Sequence, residues 1–163
     1  MPQLHDASPP ADAGASRLAG GFALLWAGCL AGVSLLATPV KFSAPSLDLA
    51  VALDVGRVTF AALNRLEIVL AAVLILVVVL RARAAWNVAG ALIVAALVGA
   101  QALWLLPGLD ARVQIIMDGG TPPDSPLHWL YIAVDGVKLV LLAALGVANL
   151  MRQRGFSSGS SSS

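Results

Sequence analysis

Charged residues and cysteine are scarce in this sequence. Only 12% of its 163 residues are charged and 59% are hydrophobic, whereas a soluble domain is about 25% charged and about 45–50% apolar. This leaves too little polar surface to cover a water-soluble globule, so that class is excluded. The single cysteine, Cys29, excludes an internal disulfide and a thiolate metal cage. A net charge of +1 offers no basic footprint for nucleic acid.

Motifs for catalysis and for cofactors are also lacking. The sequence has no Walker loop and no GxGxxG fingerprint. The two histidines, His5 and His128, are far apart in the chain, so neither a metal-ligand pair nor a bis-histidine haem is expected. We therefore predict no metal and no cofactor, and an intramembrane enzyme is the less favoured alternative.

Four apolar stretches dominate the sequence. Each is longer than the roughly 20 residues that a helix needs to cross the hydrocarbon core. They are rich in Leu, Val and Ala, which favours helices over the alternating segments of a barrel. The predicted fold is an all-α integral membrane four-helix bundle with up-down topology. The spans cover about residues 18–40, 56–80, 86–106 and 128–151.

Proline and low-complexity segments mark the predicted boundaries. Pro39 is expected to end the first span, and Pro107-Gly108 to end the third. The second span begins either near Gly56 or earlier, near Ser46, and a loop is expected over residues 110–127. The four-helix domain covers 17–152, and the flanking segments are predicted to be disordered tails because they are rich in proline or in Ser/Gly, at 1–16 and 153–163.

Basic residues near the span ends predict the orientation. Five lie on one side, namely Arg17, Arg81, Arg83, Arg152 and Arg154. Three lie on the other side, namely Lys41, Arg57 and Arg112. Because cytoplasmic loops carry the excess of Lys and Arg, both termini are expected in the cytoplasm.

The sequence uses Ala, Val, Leu and Arg often, which suggests a GC-rich bacterial genome. The membrane is therefore expected to be a plasma (inner) membrane.

Small residues indicate where the helices pack. Gly28 and Gly32 form a GxxxG pattern in the first span, and Gly21 lies two turns earlier. The third span also contains small residues suited to packing, among them Gly90 and Gly99. Such positions let two helix backbones approach closely. The predicted use is packing within one bundle, and homodimerisation through this face is the alternative.

Polar residues inside the spans are the most informative feature, because an ionisable residue at a helix centre costs about 2.5–3.5 kcal/mol on the insertion scale. Tyr131, Asp135 and Lys138 continue one helical stripe from His128. Glu67 and Lys138 are expected at equal depth from the outer edge of the membrane, which predicts that they form a pair. Asp135 is predicted to lie near Arg65 for the same reason. The full candidate cluster is Asn64, Arg65, Glu67, Gln101, His128, Asp135 and Lys138.

Two uses of this cluster stay open. It either fixes helix register or forms a polar site, open to the outside, for a small ligand, ion or proton. The first predicted function is an accessory or structural subunit of a larger membrane assembly, with the lipid bilayer and a larger complex or a homo-oligomer as partners. The alternative is a transporter or permeation protein for a small molecule, an ion or a proton.

Four short segments carry a family resemblance. They are Leu25-Trp26-Ala27-Gly28, Thr38-Pro39-Val40-Lys41-Phe42, Gly56-Arg57-Val58-Thr59-Phe60, and Leu105-Leu106-Pro107 followed by a polar loop and His128. Together they resemble small bacterial membrane proteins related to the transmembrane protein 205 group. The resemblance implies a four-helix fold. It implies no activity, because the bacterial members of this family have none assigned. This sequence departs from the family after the fourth-helix His, where Tyr131, Asp135 and Lys138 replace Ser and Asn positions.

Overall fold

The computed structural model describes residues 11–82 and 84–151, and all regular structure in these residues is helical. Four helices, α1 to α4, are each long and apolar enough to cross a membrane. The all-α, four-helix part of the prediction is therefore confirmed. Helix α1 comprises Ala11–Ala31, a π-helical turn at Gly32–Ala37, and Thr38–Lys41. The others are α2 (Leu49–Leu80), α3 (Ala85–Met117) and α4 (Leu127–Met151).

The helices are longer than the sequence predicted. Helix α1 already begins at Ala11, within the stretch predicted as a disordered tail, because Ala15 belongs to the buried face of this helix. The rest of that tail, residues 1–10, and the predicted C-terminal tail lie outside the described residues. Helix α2 adopts the earlier of its two predicted starts and begins at Leu49.

Two π-helical turns explain how α1 and α3 continue close to proline. In α3 the turn Gln101–Leu105 lies directly before Leu106-Pro107, and α3 then runs on to Met117. The prediction that Pro107-Gly108 ends the third helix is therefore wrong, as is a loop from residue 110. A proline ring collides with the carbonyl four residues earlier in a regular helix, and the wider π turn relieves that contact. In α1 the turn Gly32–Ala37 precedes Pro39 in the same way.

Helices that follow one another in the chain are packed against each other, and α1 also packs against α4. Along α1, Gly20 lies against Gly146 and Ser34 against Asp135, so these two helices run in opposite directions. The most extensive contacts are α1 with α4 and α2 with α3. Helices α2 and α4 consequently lie diagonally across the bundle.

Glycine does not pack the bundle where the sequence predicted. A side-chain carbon added at Gly21, Gly28, Gly32 or Gly99 would meet nothing within 4 Å, so the intramolecular role predicted for these four residues is wrong. The buried face of α1 instead carries Ala15, Ala19, Ala23, Trp26 and Leu30.

Close backbone approach occurs at other glycines. Gly20 faces Gly146, where an added carbon would lie 2.9 Å from the carbonyl oxygen of Gly146. Gly90 does pack within the bundle, since its missing side chain leaves room for Leu145. The outer surface is mostly apolar, because large Leu, Val and Ile side chains are exposed on all four helices.

Candidate functional site

Glu67 and Lys138 form a fully buried ion pair across the diagonal of the bundle. The ammonium nitrogen of Lys138 lies 2.7 Å from Oε1 and 2.6 Å from Oε2 of Glu67. Both side chains are 0% exposed. Their equal depth in the two predicted spans predicted this pair, and the structure brings the two residues together.

Gln101 and Asp135 complete the polar contacts of Lys138. The ammonium nitrogen donates to Gln101 Oε1 at 2.5 Å and lies 3.1 Å from Asp135 Oδ1. Gln101 Nε2 donates in turn to the same Asp135 oxygen at 2.8 Å. Gln101 occupies the first position of the π turn in α3, and such turns occur frequently at functional sites.

Helix α1 contributes two donors that the sequence analysis did not assign to the cluster. Trp26 Nε1 donates to Glu67 Oε1 at 3.1 Å, and Ser34 Oγ donates to Asp135 Oδ2 at 2.6 Å. Ser34 lies in the π turn of α1. Neither side chain is ionisable, so the sequence signals were their position within a span and, for Trp26, the segment Leu25-Trp26-Ala27-Gly28 of the family resemblance. We call Trp26, Ser34, Glu67, Gln101, Asp135 and Lys138 the carboxylate–lysine cluster.

This cluster holds two carboxylates and one ammonium group. Asp135 is 6% exposed, and Glu67 and Lys138 are 0% exposed. Fully ionised, the three groups sum to one negative charge. Buried charges are expensive unless they are paired, so the unmatched charge is the electrostatic property that any function of this site must accommodate.

Three residues predicted for the cluster lie outside it. Arg65 is exposed, and the prediction that it neighbours Asp135 is wrong, because residues two apart face opposite sides of a helix and Glu67 faces inward. Asn64 is buried and donates to the carbonyl oxygen of Val98 at 3.3 Å. His128 is exposed at the start of α4, next to Trp129.

A cavity of about 680 Å³ reaches the cluster from the end of the bundle where α1 ends and α4 begins. Helices α1, α2 and α4 line it, with Leu30 and Leu139 towards one end and Phe42 and His128 towards the other, and Ser34 and Asp135 lie between them. Asp135 is the only Asp, Glu, Lys or Arg among its lining residues in the described part of the chain.

A second cavity of about 340 Å³ adjoins the first, with which it shares Phe42, Phe60 and His128. Its charged lining residues are Lys41, Arg57 and Asp110. Arg57 also pairs with Asp54 at 2.7 Å. The smaller cavity is therefore lined by more positive than negative charge, unlike the larger one.

Tyr131 lines the larger cavity, one helical turn before Asp135 on α4. It is 2% exposed, and its ring packs edge-on against Phe60 with centroids 5.0 Å apart. The hydroxyl oxygen is buried and has no hydrogen-bond partner among residues 11–82 and 84–151. A buried polar atom without a partner costs about 1–3 kcal/mol, so this hydroxyl is suited to meeting a partner in the cavity.

A second polar contact, which the sequence analysis did not predict, joins α3 to α4 near the other end of the bundle. Asn149 Nδ2 donates to Asn87 Oδ1 at 2.8 Å, and Asn87 Nδ2 donates to Asn149 Oδ1 at 3.2 Å. Both amides are 2% exposed. They make additional bonds to the backbone carbonyls of Leu145 and Ala82, so this pair is satisfied internally and stabilises the contact between the two helices.

Within the described ranges, no group of three or more His, Cys, Asp or Glu side chains is arranged to hold a metal ion. No family model, curated protein or solved structure matches the chain. The resemblance to the transmembrane protein 205 group therefore stays a prediction, and the function is argued from the site.

Proposed function

We propose that the chain is a multi-pass membrane protein of the bacterial plasma (inner) membrane, with both termini in the cytoplasm. Four helices of sufficient length and hydropathy support this proposal, together with the excess of basic residues on one side. Thirteen residues separate Glu67 from the end of α2 at Leu80, and Lys138 from the end of α4 at Met151. That is about 20 Å along each helix, and this distance supports a position of the pair below the headgroups in a core about 30 Å thick.

The cluster in this setting is a binding site for one proton or one small cation, and the protein is a small transporter or permeation protein. The observation that supports this is the charge imbalance of two buried carboxylates against one ammonium group. Ionisable groups within a membrane mark ion or proton pathways when they line a cavity, and Asp135 lines the larger one.

Asp135 is the group that exchanges the proton. Glu67 is held by Lys138 through both oxygens, whereas Asp135 Oδ2 contacts the hydroxyl of Ser34. A hydroxyl can donate or accept. When Asp135 is ionised Ser34 donates to it, and when Asp135 is protonated the carboxylic acid donates to Ser34, so both states keep the same contact.

Purified protein in vesicles tests this function. A pH gradient is imposed across the vesicles, with Na⁺ and K⁺ on both sides, and its decay is followed with an enclosed pH-sensitive dye. With the wild type, the pH gradient is expected to decay faster than in protein-free vesicles. With Asp135→Asn, the decay rate should equal that of protein-free vesicles. Asp54→Asn is the matched control, because Asp54 pairs with Arg57 away from the cluster, and it should behave as the wild type. Equal decay with wild type and Asp135→Asn would contradict the proposal.

An accessory subunit of a larger membrane assembly is the second candidate. It is favoured by the open face of α1, where Gly21, Gly28 and Gly32 meet nothing within 4 Å, since glycine at such spacing allows a second helix to approach. The mass of the particle extracted from the native membrane in mild detergent tests it. This candidate predicts a larger particle that Gly28→Leu reduces to the mass of the single chain, and a lone chain in the wild type rejects it.

A further inference from the structure

We infer that the larger cavity binds an amphipathic organic monocation, such as a protonated amine on an apolar body, with Asp135 as its counter-ion. This inference rests on the proposed function and names the class of its substrate. The volume of the cavity is about 680 Å³, which lies within the range of binding sites for small organic molecules. This volume greatly exceeds the space that one inorganic ion needs.

The sign of the ligand follows from the charges around the cavity. Among the cavity-lining residues in ranges 11–82 and 84–151, Asp135 is the only Asp, Glu, Lys or Arg, and it belongs to a cluster with one negative charge in excess. An anion would meet that charge unpaired. A monocation neutralises it, so the three ionised groups of the cluster and the ligand sum to zero.

The walls favour an apolar body on that cation. The cavity is lined mostly by carbon, including Leu30, Leu35, Phe42 and Phe60. Aromatic rings also attract cations through their faces. A hydrated inorganic cation would gain little from such walls, whereas the transfer of an alkyl or aryl group from water to apolar walls is favourable in proportion to the area buried.

Tyr131 supplies an independent sign that a ligand belongs here. Its hydroxyl is buried without a hydrogen-bond partner in the described part of the chain, and Tyr131 lines the same cavity as Asp135, one turn before it on α4. An ammonium group that donates one N–H to Asp135 has further N–H groups for a second acceptor. The Tyr131 oxygen is that acceptor, so the bound amine satisfies an oxygen that the protein leaves unpaired.

Gly136 provides a way to fill part of the cavity while every charged residue is kept. It lines the larger cavity, and a side-chain carbon added there meets nothing within 4 Å. The Cβ of leucine therefore has room at this position, and the rest of its side chain would occupy ligand space. Gly99 is the matched control, because it too has open space around it but lines neither cavity.

Binding is measured with the full chain in lipid nanodiscs, using three probes that share one body: phenylbutylamine, phenylbutanol and phenylbutyrate. We expect saturable binding of the amine, at least tenfold tighter than that of the alcohol, and no binding of the acid. Gly136→Leu and Asp135→Asn should each weaken amine binding at least tenfold, Tyr131→Phe should weaken it severalfold, and Gly99→Leu should leave it unchanged.

Equal affinity for the amine and the alcohol would overturn the inference, as would amine binding that Gly136→Leu leaves intact. The vesicle assay separates this failure from failure of the proposed function. If Asp135→Asn abolishes gradient decay while the wild type does not bind the amine, the assignment of an organic ligand is wrong and the proton site stands. If the amine binds as expected but Asp135→Asn leaves the decay unchanged, the cation site stands without proton permeation.

Discussion

The ammonium group of Lys138 contacts both carboxylate oxygens of Glu67, at 2.7 and 2.6 Å, although the two residues are 71 positions apart in the chain. The contact crosses the bundle from α4 to α2, where both side chains are fully buried. Neither charge has water to solvate it if the other is removed. The geometry of this pair therefore determines both the register of the two helices and the charge of the site beside them.

Charge reversal tests the pair. Glu67→Lys places two ammonium groups together in the core and should lower the free energy of unfolding by about 3–5 kcal/mol, because a buried charge loses its partner. Adding Lys138→Glu restores the opposite signs and should recover a large part of this loss. Unfolding of the purified protein in detergent measures both variants.

Arg65→Glu is the control for charge reversal, since Arg65 lies two residues from Glu67 on the exposed side of α2. It should change the unfolding free energy far less than Glu67→Lys. A double variant no more stable than Glu67→Lys alone would show that the two side chains do not depend on each other.

Asn87 and Asn149 should behave as a coupled pair. Either Asn87→Leu or Asn149→Leu leaves the other amide buried without this partner and should cost about 1–2 kcal/mol of unfolding free energy. The double variant removes both amides, so its cost should be smaller than the sum of the single costs. A double-variant cycle measured by unfolding in detergent checks this. Strictly additive losses would mean that the two amides are not coupled.

Adjacent glycines in α1 should respond very differently to a larger side chain. Gly20→Val would push a side chain against the backbone of Gly146 and should destabilise the protein by about 1–3 kcal/mol. Gly21→Val would enter open space and should have little effect on the isolated chain. Thermal unfolding of the two variants in the same detergent makes the comparison, and equal losses would contradict the packing of α1 against α4.

Sequence patterns predicted the four helices and much of the polar cluster because both follow from free-energy costs that are large and local. Long apolar runs must be shielded from water, and charges within such runs need partners. That logic brought Glu67 and Lys138 together. It failed for Arg65 because a depth argument ignores the face of the helix on which a residue lies, and residues two apart point to opposite faces.

Other parts of the site depend on tertiary contacts that no local pattern encodes. The hydrogen bonds of Trp26 and Ser34 exist because α1 packs beside α4 and α2. The continuation of α3 past Pro107 depends on a π turn, which a rule that ends helices near proline does not include. The glycine pattern was misleading for a related reason, since alanine on the neighbouring face already allows close packing of α1.

The proposal that Asp135 is the group that takes up a proton is tested most directly by infrared spectroscopy of the full chain in lipid at neutral pH. The charge balance of the cluster predicts a carbonyl stretching band of a buried, protonated carboxylic acid in the absence of cationic ligand. Asp135→Asn should remove the band, and phenylbutylamine should diminish it in the wild type by replacing the proton. A ligand-free wild-type spectrum without such a band would contradict the account, because Asp135 and Glu67 would then both be ionised beside a single lysine.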